Sequence, residues 1–285
     1  MTTLRELIAR PRAIVAPLVL GPLGARLAQQ AGFEALYLGG GSVGYDKCVT
    51  EANLNVKDMT DLALDIRTAC DLPLILDAAG GWGDPMHMRR TMRIAQAAGF
   101  AAIEIEDQQL PKRAHHHVGI DHPIPMQAMV DKVREAVASR RSADLLVIAR
   151  TNLARTSLDE AIVRARAYRD AGADILFVLS MKPDDLREIG RRVPGPLMMM
   201  TDVTGVAGIG IGIDELSGLG YRLVVDPITP LLAAHRAMRD SYAAIAAGRP
   251  DPLVGGAERA EHDALHRTID LEALLEIERR TVERG

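Results

Sequence analysis

Eight short apolar runs recur along the chain, and their spacing restricts it to very few folds. They are AIVAP (13–17), ALYLGG (35–40), LPLILDA (72–78), AAIEIED (101–107), LLVIART (145–151), ILFVLS (175–180), LMMMTD (197–202) and RLVVDP (222–227). Their unbroken apolar character is that of strands covered on both faces, as in parallel sheets. Between them lie stretches with helical spacing, such as DPMHMRRTMRIAQAAG and LDEAIVRARAYRDAGA. Several end in Gly just before the next strand, in AQQAGFEALYL, AQAAGFAAIEI, YRDAGADILFV and LSGLGYRLVV. Glycine takes the left-handed conformation that closes a helix at no steric cost. This repeated helix–Gly–strand unit over 285 residues predicts an α/β chain folded as a single (β/α)8 TIM-type barrel. A doubly wound open sheet is the main rival, and the strand count favours the barrel. The barrel is expected over residues 1–248, its last helix near 230–247. Residues 249–285 begin rich in Pro and Gly and end in an amphipathic helix. This C-terminal helical extension suits packing on its own barrel or exchange with a neighbouring subunit.

Aromatic residues make up only 3% of a chain that is 48% hydrophobic, so the core must be built from Ala, Leu, Ile, Val and Met. A formal charge of −4 leaves no basic footprint and argues against nucleic acid as a partner. No apolar run reaches membrane-spanning length. The opening MTTLRELIARPRAIVAP lacks the basic-then-apolar order of a secretion signal, so a cytoplasmic protein is expected. Cys48 and Cys70 form no CxxC pair, and a disulfide is not expected in that compartment.

In such barrels the reactive groups gather at the C-terminal ends of the strands. There the sequence offers Gly39, Gly40, Gly41 and Ser42; Asp77; Glu106 with Asp107; Arg150 with Asn152; Ser180 with Lys182; Thr201 with Asp202; and Asp226. Asp77 and Glu106 fall on successive strands and could share a hard divalent cation. Mg2+ takes one or two carboxylates and leaves its other positions to water and substrate. Arg150 could fork onto a substrate carboxylate, and the glycines would let backbone N–H groups approach an anion closely. Each feature alone has a plainer reading, as a turn former, a helix cap or an ion-pair partner. Glu104 shares strand parity with Glu106, which allows one acid in the site and the other paired to Arg or Lys. The segment PKRAHHHVGIDHP (111–123) reads as a mobile lid carrying Lys112, Arg113 and one or two His toward an anion. Zinc is disfavoured there, because three adjacent His side chains do not converge on one ion.

The stretches IEDQQLPKR (105–113), GWGDPMHMRRT (81–91), IARTN (148–152) and GPLGARLAQQAGFEALYLGGGSVG (21–44) resemble the isocitrate lyase/phosphoenolpyruvate mutase superfamily. The resemblance covers residues 4 to about 245. It implies a Mg2+-dependent (β/α)8 barrel, with Mn2+ as a substitute, that stabilises an enolate while a C–C or P–C bond breaks. It also implies a homotetramer exchanging C-terminal helices. By the same resemblance Asp77 and Glu106 serve the metal and Glu51 stands in its outer shell. Gly39, Gly40, Gly41, Ser42, Arg150 and Asn152 bind substrate, and Lys112, Arg113, His115, His116 and Arg150 take part in catalysis.

Two departures from the family pattern stand out. The strand-three turn, D-x-D-x-G in the family, reads Asp77–Ala78–Ala79–Gly80, so the second acid is gone. The lid motif K-[KR]-C-G-H reads Lys112–Arg113–Ala114–His115–His116, so the proton-donating Cys is gone and His115 replaces a Gly. A smaller departure follows strand six, where Leu179–Ser180–Met181–Lys182 stands in place of P-E-A. The expectation is a C–C lyase or decarboxylase acting on a small oxaloacetate- or substituted-malate-like acid, with His115 or His116 replacing the Cys where a donor is needed. Phosphonopyruvate-type P–C chemistry and a catalytically silent carboxylate-binding barrel are the alternatives.

Overall fold

The structure is a computed structural model and describes residues 2–283. Eight parallel strands, β1 (Ile14–Pro17), β2 (Leu36–Leu38), β3 (Leu74–Asp77), β4 (Ala102–Glu106), β5 (Leu146–Thr151), β6 (Ile175–Val178), β7 (Leu197–Met200) and β8 (Tyr221–Asp226), pair in the order β1-β8-β7-β6-β5-β4-β3-β2. A parallel bridge between Leu18 and Tyr37, with Val19 N–H donating to the Tyr37 carbonyl at 2.9 Å, joins the two ends into a (β/α)8 barrel. Seven of the apolar runs contain their strand whole, and β8 starts one residue before its run, at Tyr221. A leading helix, α1 (Leu4–Ala9), starts at a capping box between Thr3 and Glu6. The strands are then followed by α2 (Pro22–Gln30), α3 (Gly40–Asp46) with α4 (Val56–Arg67), α5 (Pro85–Ala97), α6 (Met126–Ser139), α7 (Leu158–Asp170), α8 (Pro183–Arg192) and α9 (Ile213–Gly218).

Strand parity divides the core. Ile14, Ala16, Tyr37, Ile75, Ala102, Ile148, Phe177, Met198 and Val225 belong to the cluster that fills the barrel. Leu38, Leu76, Ile103, Val147, Leu176 and Val224, one residue out of phase, belong to the larger cluster shared with the helices. The inward phase then runs on into charged and polar side chains. After Ile75 comes Asp77, after Ala102 come Glu104 and Glu106, and after Ile148 come Arg150 and Asn152. Barrel geometry thus collects these side chains at one end.

The described residues form two compact units that divide between Thr229 and Pro230. The second contains most of α10 (Thr229–Ala246), together with α11 (Glu258–Thr268) and α12 (Leu271–Thr281). Among the described residues no helix is long and apolar enough to cross a membrane.

One backbone contact fixes the approach to the site. Between α3 and α4 a 3-10 turn, Glu51–Asn53, lies against Gly44, where a Cβ would come within 2.8 Å of the Glu51 backbone nitrogen. Backbone yields little, so Gly44→Ala is expected to cost about 1–3 kcal/mol, read by denaturant unfolding, and to displace Glu51.

Candidate active site

Asp77 is buried at the end of β3 and bound by its own surroundings. Its Oδ2 accepts the Gly40 N–H at 3.1 Å and its Oδ1 the Ala79 N–H at 3.0 Å. The glycines are therefore not interchangeable. Gly40 spends its N–H on Asp77, and a Cβ there would strike the Glu51 carboxyl at 2.9 Å. A Cβ on Gly39 would meet the Tyr37 ring at 2.9 Å, whereas Gly41 faces open space. Ser42 donates its hydroxyl to the Pro227 carbonyl at 2.5 Å.

Glu104 and Glu106 both point inward, as their shared parity requires, but they are held differently. Glu104 accepts from Tyr37 Oη at 2.9 Å and from Arg150 Nη1 at 2.8 Å. Glu106 has Lys112 Nζ at 2.5 Å and Arg150 Nε at 3.4 Å, and accepts from the Asn152 amide at 3.3 Å. Arg150 also donates from Nε to Asn152 Oδ1 at 2.8 Å and lies over the Phe177 ring, 5.0 Å from its centroid. Asp107 has the opposite parity and faces α7, accepting from Arg164 and Tyr168. Ser180 donates to Asp185, and Asp202 accepts from Thr204. These three are committed to local structure.

The lid segment lies across the acids. Lys112 Nζ bridges Glu106 and Glu51 Oε1, the latter at 2.7 Å, and Lys112 is only 9% exposed. In a 3-10 turn, Ala114–Val118, the three histidines then take different partners. His116 Nε2 meets Glu51 Oε2 at 3.0 Å while its Nδ1 meets the Arg113 carbonyl at 2.9 Å. His117 pairs with Tyr45 Oη at 2.9 Å, and His115 with His122 at 3.1 Å. His116 is thus brought to the acid cluster, whereas His115 and Arg113 are exposed and His115 turns to His122 instead. Asn152 ties the lid down through Asp121 Oδ1 at 3.0 Å.

These neighbours set the charges. Burial works against an ionised Glu51, but Lys112 and His116 outweigh it and hold the carboxyl down to about 2. Burial also opposes ionisation of Glu106, and Lys112 and Arg150 overcome it, leaving that carboxyl lowered. Asp77 lacks such a partner: burial first, then the Glu51 charge, push it up to about 6. Burial and Asp77 push Glu104 up to about 8. Lys112 is raised, because Glu106 and Glu51 more than offset its burial.

Sequence reasoning missed Tyr37, which the inward phase of β2 would have suggested, and Lys132 on α6. The buried Lys132 Nζ donates to the Gly80 carbonyl at 2.8 Å and braces the turn after Asp77. That turn keeps Ala79 at φ +48°, a left-handed conformation that Asp and Asn adopt more readily than Ala. A cavity of about 360 Å3, lined by Glu51, Ala79, Trp82 and Lys112 among others, opens beside it.

The donor set fits a hard divalent cation. Asp77 and Glu106 are buried carboxylates at adjacent strand ends, Glu51 lies alongside, and the cluster already surrounds a positive charge. Two carboxylates completed by water suffice for Mg2+. The acids are spread around the ammonium. Among the described residues, three ligand atoms within 4.8 Å of one another occur only at His262, Asp263 and His266 on α11.

An all-parallel barrel with buried acids, an arginine and a cationic lid at its strand ends defines a (β/α)8 enzyme for small anionic substrates. A family model described as phosphoenolpyruvate phosphomutase matches residues 4–246. The chain belongs to this family, within the isocitrate lyase/phosphoenolpyruvate mutase superfamily of carbon–carbon lyases and their relatives. It is 36% identical over 237 residues to 2-methylisocitrate lyase of Aeropyrum pernix, covering 82% of this chain and 76% of that protein. It is 32% identical over 250 residues to 2,3-dimethylmalate lyase of Eubacterium barkeri, covering 85% of this chain and 84% of the relative. A phosphonopyruvate hydrolase solved with oxalate and Mg2+ superposes with a TM-score of 0.84 at 25% identity, over 98% of each chain.

Proposed function

We propose that the protein is a Mg2+-dependent lyase or decarboxylase that cleaves a C–C bond in a small 2-oxo or 2-hydroxy dicarboxylate, oxaloacetate- or substituted-malate-like. The observation that carries this is the convergence of Asp77, Glu106, Arg150 and Lys112 at one end of the barrel. Mg2+ held by Asp77 and Glu106, with Glu51 outside them and Mn2+ as a substitute, supplies positive charge where the electron pair of the broken bond collects. Arg150 binds the substrate carboxylate, with Asn152 setting the guanidinium plane through its bond to Nε. Gly39, Gly40, Gly41 and Ser42 shape the floor, and Gly40 orients Asp77. Lys112 and the lid exclude water. Ala114 has no proton to give, so where the leaving carbanion must be protonated the donor is His116, the lid histidine that reaches Glu51. Decarboxylation places less demand on that donor.

Proton NMR with Mg2+ and a panel of oxaloacetate, substituted malates, methylisocitrate and phosphonopyruvate tests the reading. Release of an oxo acid from one carboxylate member, abolished by EDTA, is expected. Phosphonopyruvate as the single substrate would move the assignment to P–C chemistry, and no turnover with no metal bound would make the barrel a carboxylate-binding protein. Glu106→Gln is expected to lower turnover at least about 100-fold with the fold retained. A purely structural Glu106 would show mainly a fall in unfolding temperature. We also infer a cytoplasmic homotetramer assembled through residues 249–285. Exposed apolar Leu274, Leu275 and Ile277 on α12 support this assembly, which light scattering checks.

A further inference from the structure

A second cluster of metal-ligating side chains lies outside the strand-end site, on α11. His262 and His266 are four residues apart in that helix, and Asp263 comes three before His266. Side chains three and four apart share a helix face, so α11 presents all three groups together. One ring nitrogen from each imidazole and one Asp263 oxygen lie within 4.8 Å of one another. The two rings meet edge to face with centroids 4.2 Å apart. Neither ring has a hydrogen-bond partner among the described residues, so both keep their nitrogens for a ligand. Asp263 is itself held, since Arg259 Nε, one turn earlier, meets its Oδ1 at 3.2 Å. That exposed pair contributes little stability, but it orients the carboxylate as outer partners orient metal-binding acids.

The contrast with His115, His116 and His117 is geometric. Those three take separate partners, whereas two histidines one helical turn apart have the spacing of paired ligands on a zinc-binding helix. The donor set also selects the ion. Two imidazole nitrogens and one carboxylate oxygen suit Zn2+, Ni2+ or Cu2+, while Mg2+ takes oxygen ligands. Three protein ligands leave the fourth position of a tetrahedral ion to water. We propose that His262, Asp263 and His266 form a transition-metal site on α11, distinct in residues and in ion class from the strand-end acids. Because the ligands come from one turn of helix, the ion binds folded α11 in preference to the unfolded segment. Ion and helix then stabilise each other.

Equilibrium dialysis of the full chain against Zn2+, in excess Mg2+, tests it. The proteins compared are wild type, His262→Ala, Asp263→Asn and the double variant His266→Arg with Arg267→His. The double variant keeps composition and charge but sets the imidazoles five residues apart, on different faces of the helix. These positions are exposed or half-buried, so the fold is retained. Wild type is expected to bind Zn2+ at least about tenfold more tightly than His262→Ala or the double variant, because the second imidazole acts from the same turn. Asp263→Asn is expected to bind more weakly than wild type. Zn2+ is also expected to slow amide hydrogen exchange across residues 258–268 of the wild type, a readout that needs no variant. Equal Zn2+ binding by wild type, His262→Ala and the double variant places the ion at other histidines and overturns the site. A wild type that binds no Zn2+ overturns it too, as does bound Zn2+ that leaves exchange in α11 unchanged. Undiminished binding by Asp263→Asn overturns the part given to the carboxylate. None of these variants alters Asp77, Glu106 or Arg150, so each outcome leaves the proposed reaction to its own test.

Discussion

Arg150→Met is expected to lower turnover by at least about 100- to 1,000-fold and to destabilise the protein by about 3–5 kcal/mol. Both effects follow from one position. Arg150 is buried, bonded to Glu104 at 2.8 Å, near Glu106 at 3.4 Å, and oriented by Asn152. Its removal leaves two carboxylates deep in the barrel short of a partner, and an uncompensated buried charge costs far more than a surface pair contributes. The two effects separate in a double variant. Glu104→Gln removes the acid nearest to Arg150, so Arg150→Met with Glu104→Gln is expected to regain part of the stability. Its turnover stays low, because the charge that binds the substrate is still missing. Urea unfolding and kcat/KM measured on the same four proteins check both parts. Recovery of turnover together with stability would make Arg150 a structural cation and remove it from the substrate site.

The barrel was legible because strands covered on both faces must be continuously apolar. Runs such as LLVIART and ILFVLS could be read directly, and β5 and β6 lie inside them. The acids were legible as positions at strand ends, since parity alone sends Asp77, Glu106 and Arg150 into the barrel. Their partners were not. Glu104 is closed off by Tyr37 from β2 and Arg150 from β5, a pairing that depends on the register of strands far apart in sequence. The histidine run shows the same limit at short range. Adjacent residues of a 3-10 turn point about a third of a turn apart, so His116 meets Glu51 while His115 turns to His122. Nothing in PKRAHHH says which one faces inward. Lys132 carried no local signal at all: an ordinary lysine on a helix becomes a buried brace only once Gly80 is folded against it.

The turn after Asp77 offers the second large effect. Ala79 keeps a left-handed φ of +48° and accepts the Glu106 N–H through its carbonyl at 2.8 Å, so the backbone of an acid-bearing turn persists without the acid. Ala79→Asp is expected to tighten Mn2+ or Mg2+ binding by about 10- to 100-fold, the range that a supporting ligand supplies. The new carboxylate would enter the wall of the cavity beside Glu51 and Lys112, where there is room for it. Without metal it adds a fifth acid to Asp77, Glu51, Glu104 and Glu106, so the unfolding temperature of the metal-free protein is expected to fall and that of the Mg2+ form to rise. Ala79→Asn isolates the backbone contribution. Relief of left-handed strain, about 1 kcal/mol, should raise the stability of this variant with no gain in metal affinity. Calorimetric Mn2+ titration and thermal unfolding with and without Mg2+ separate the charge from the conformation. If Asp and Asn at position 79 behave alike toward the ion, this position does not face the metal, and the turn keeps only the family's backbone geometry. If only Asp tightens binding, position 79 faces the ion and the lost acid is what weakens the site.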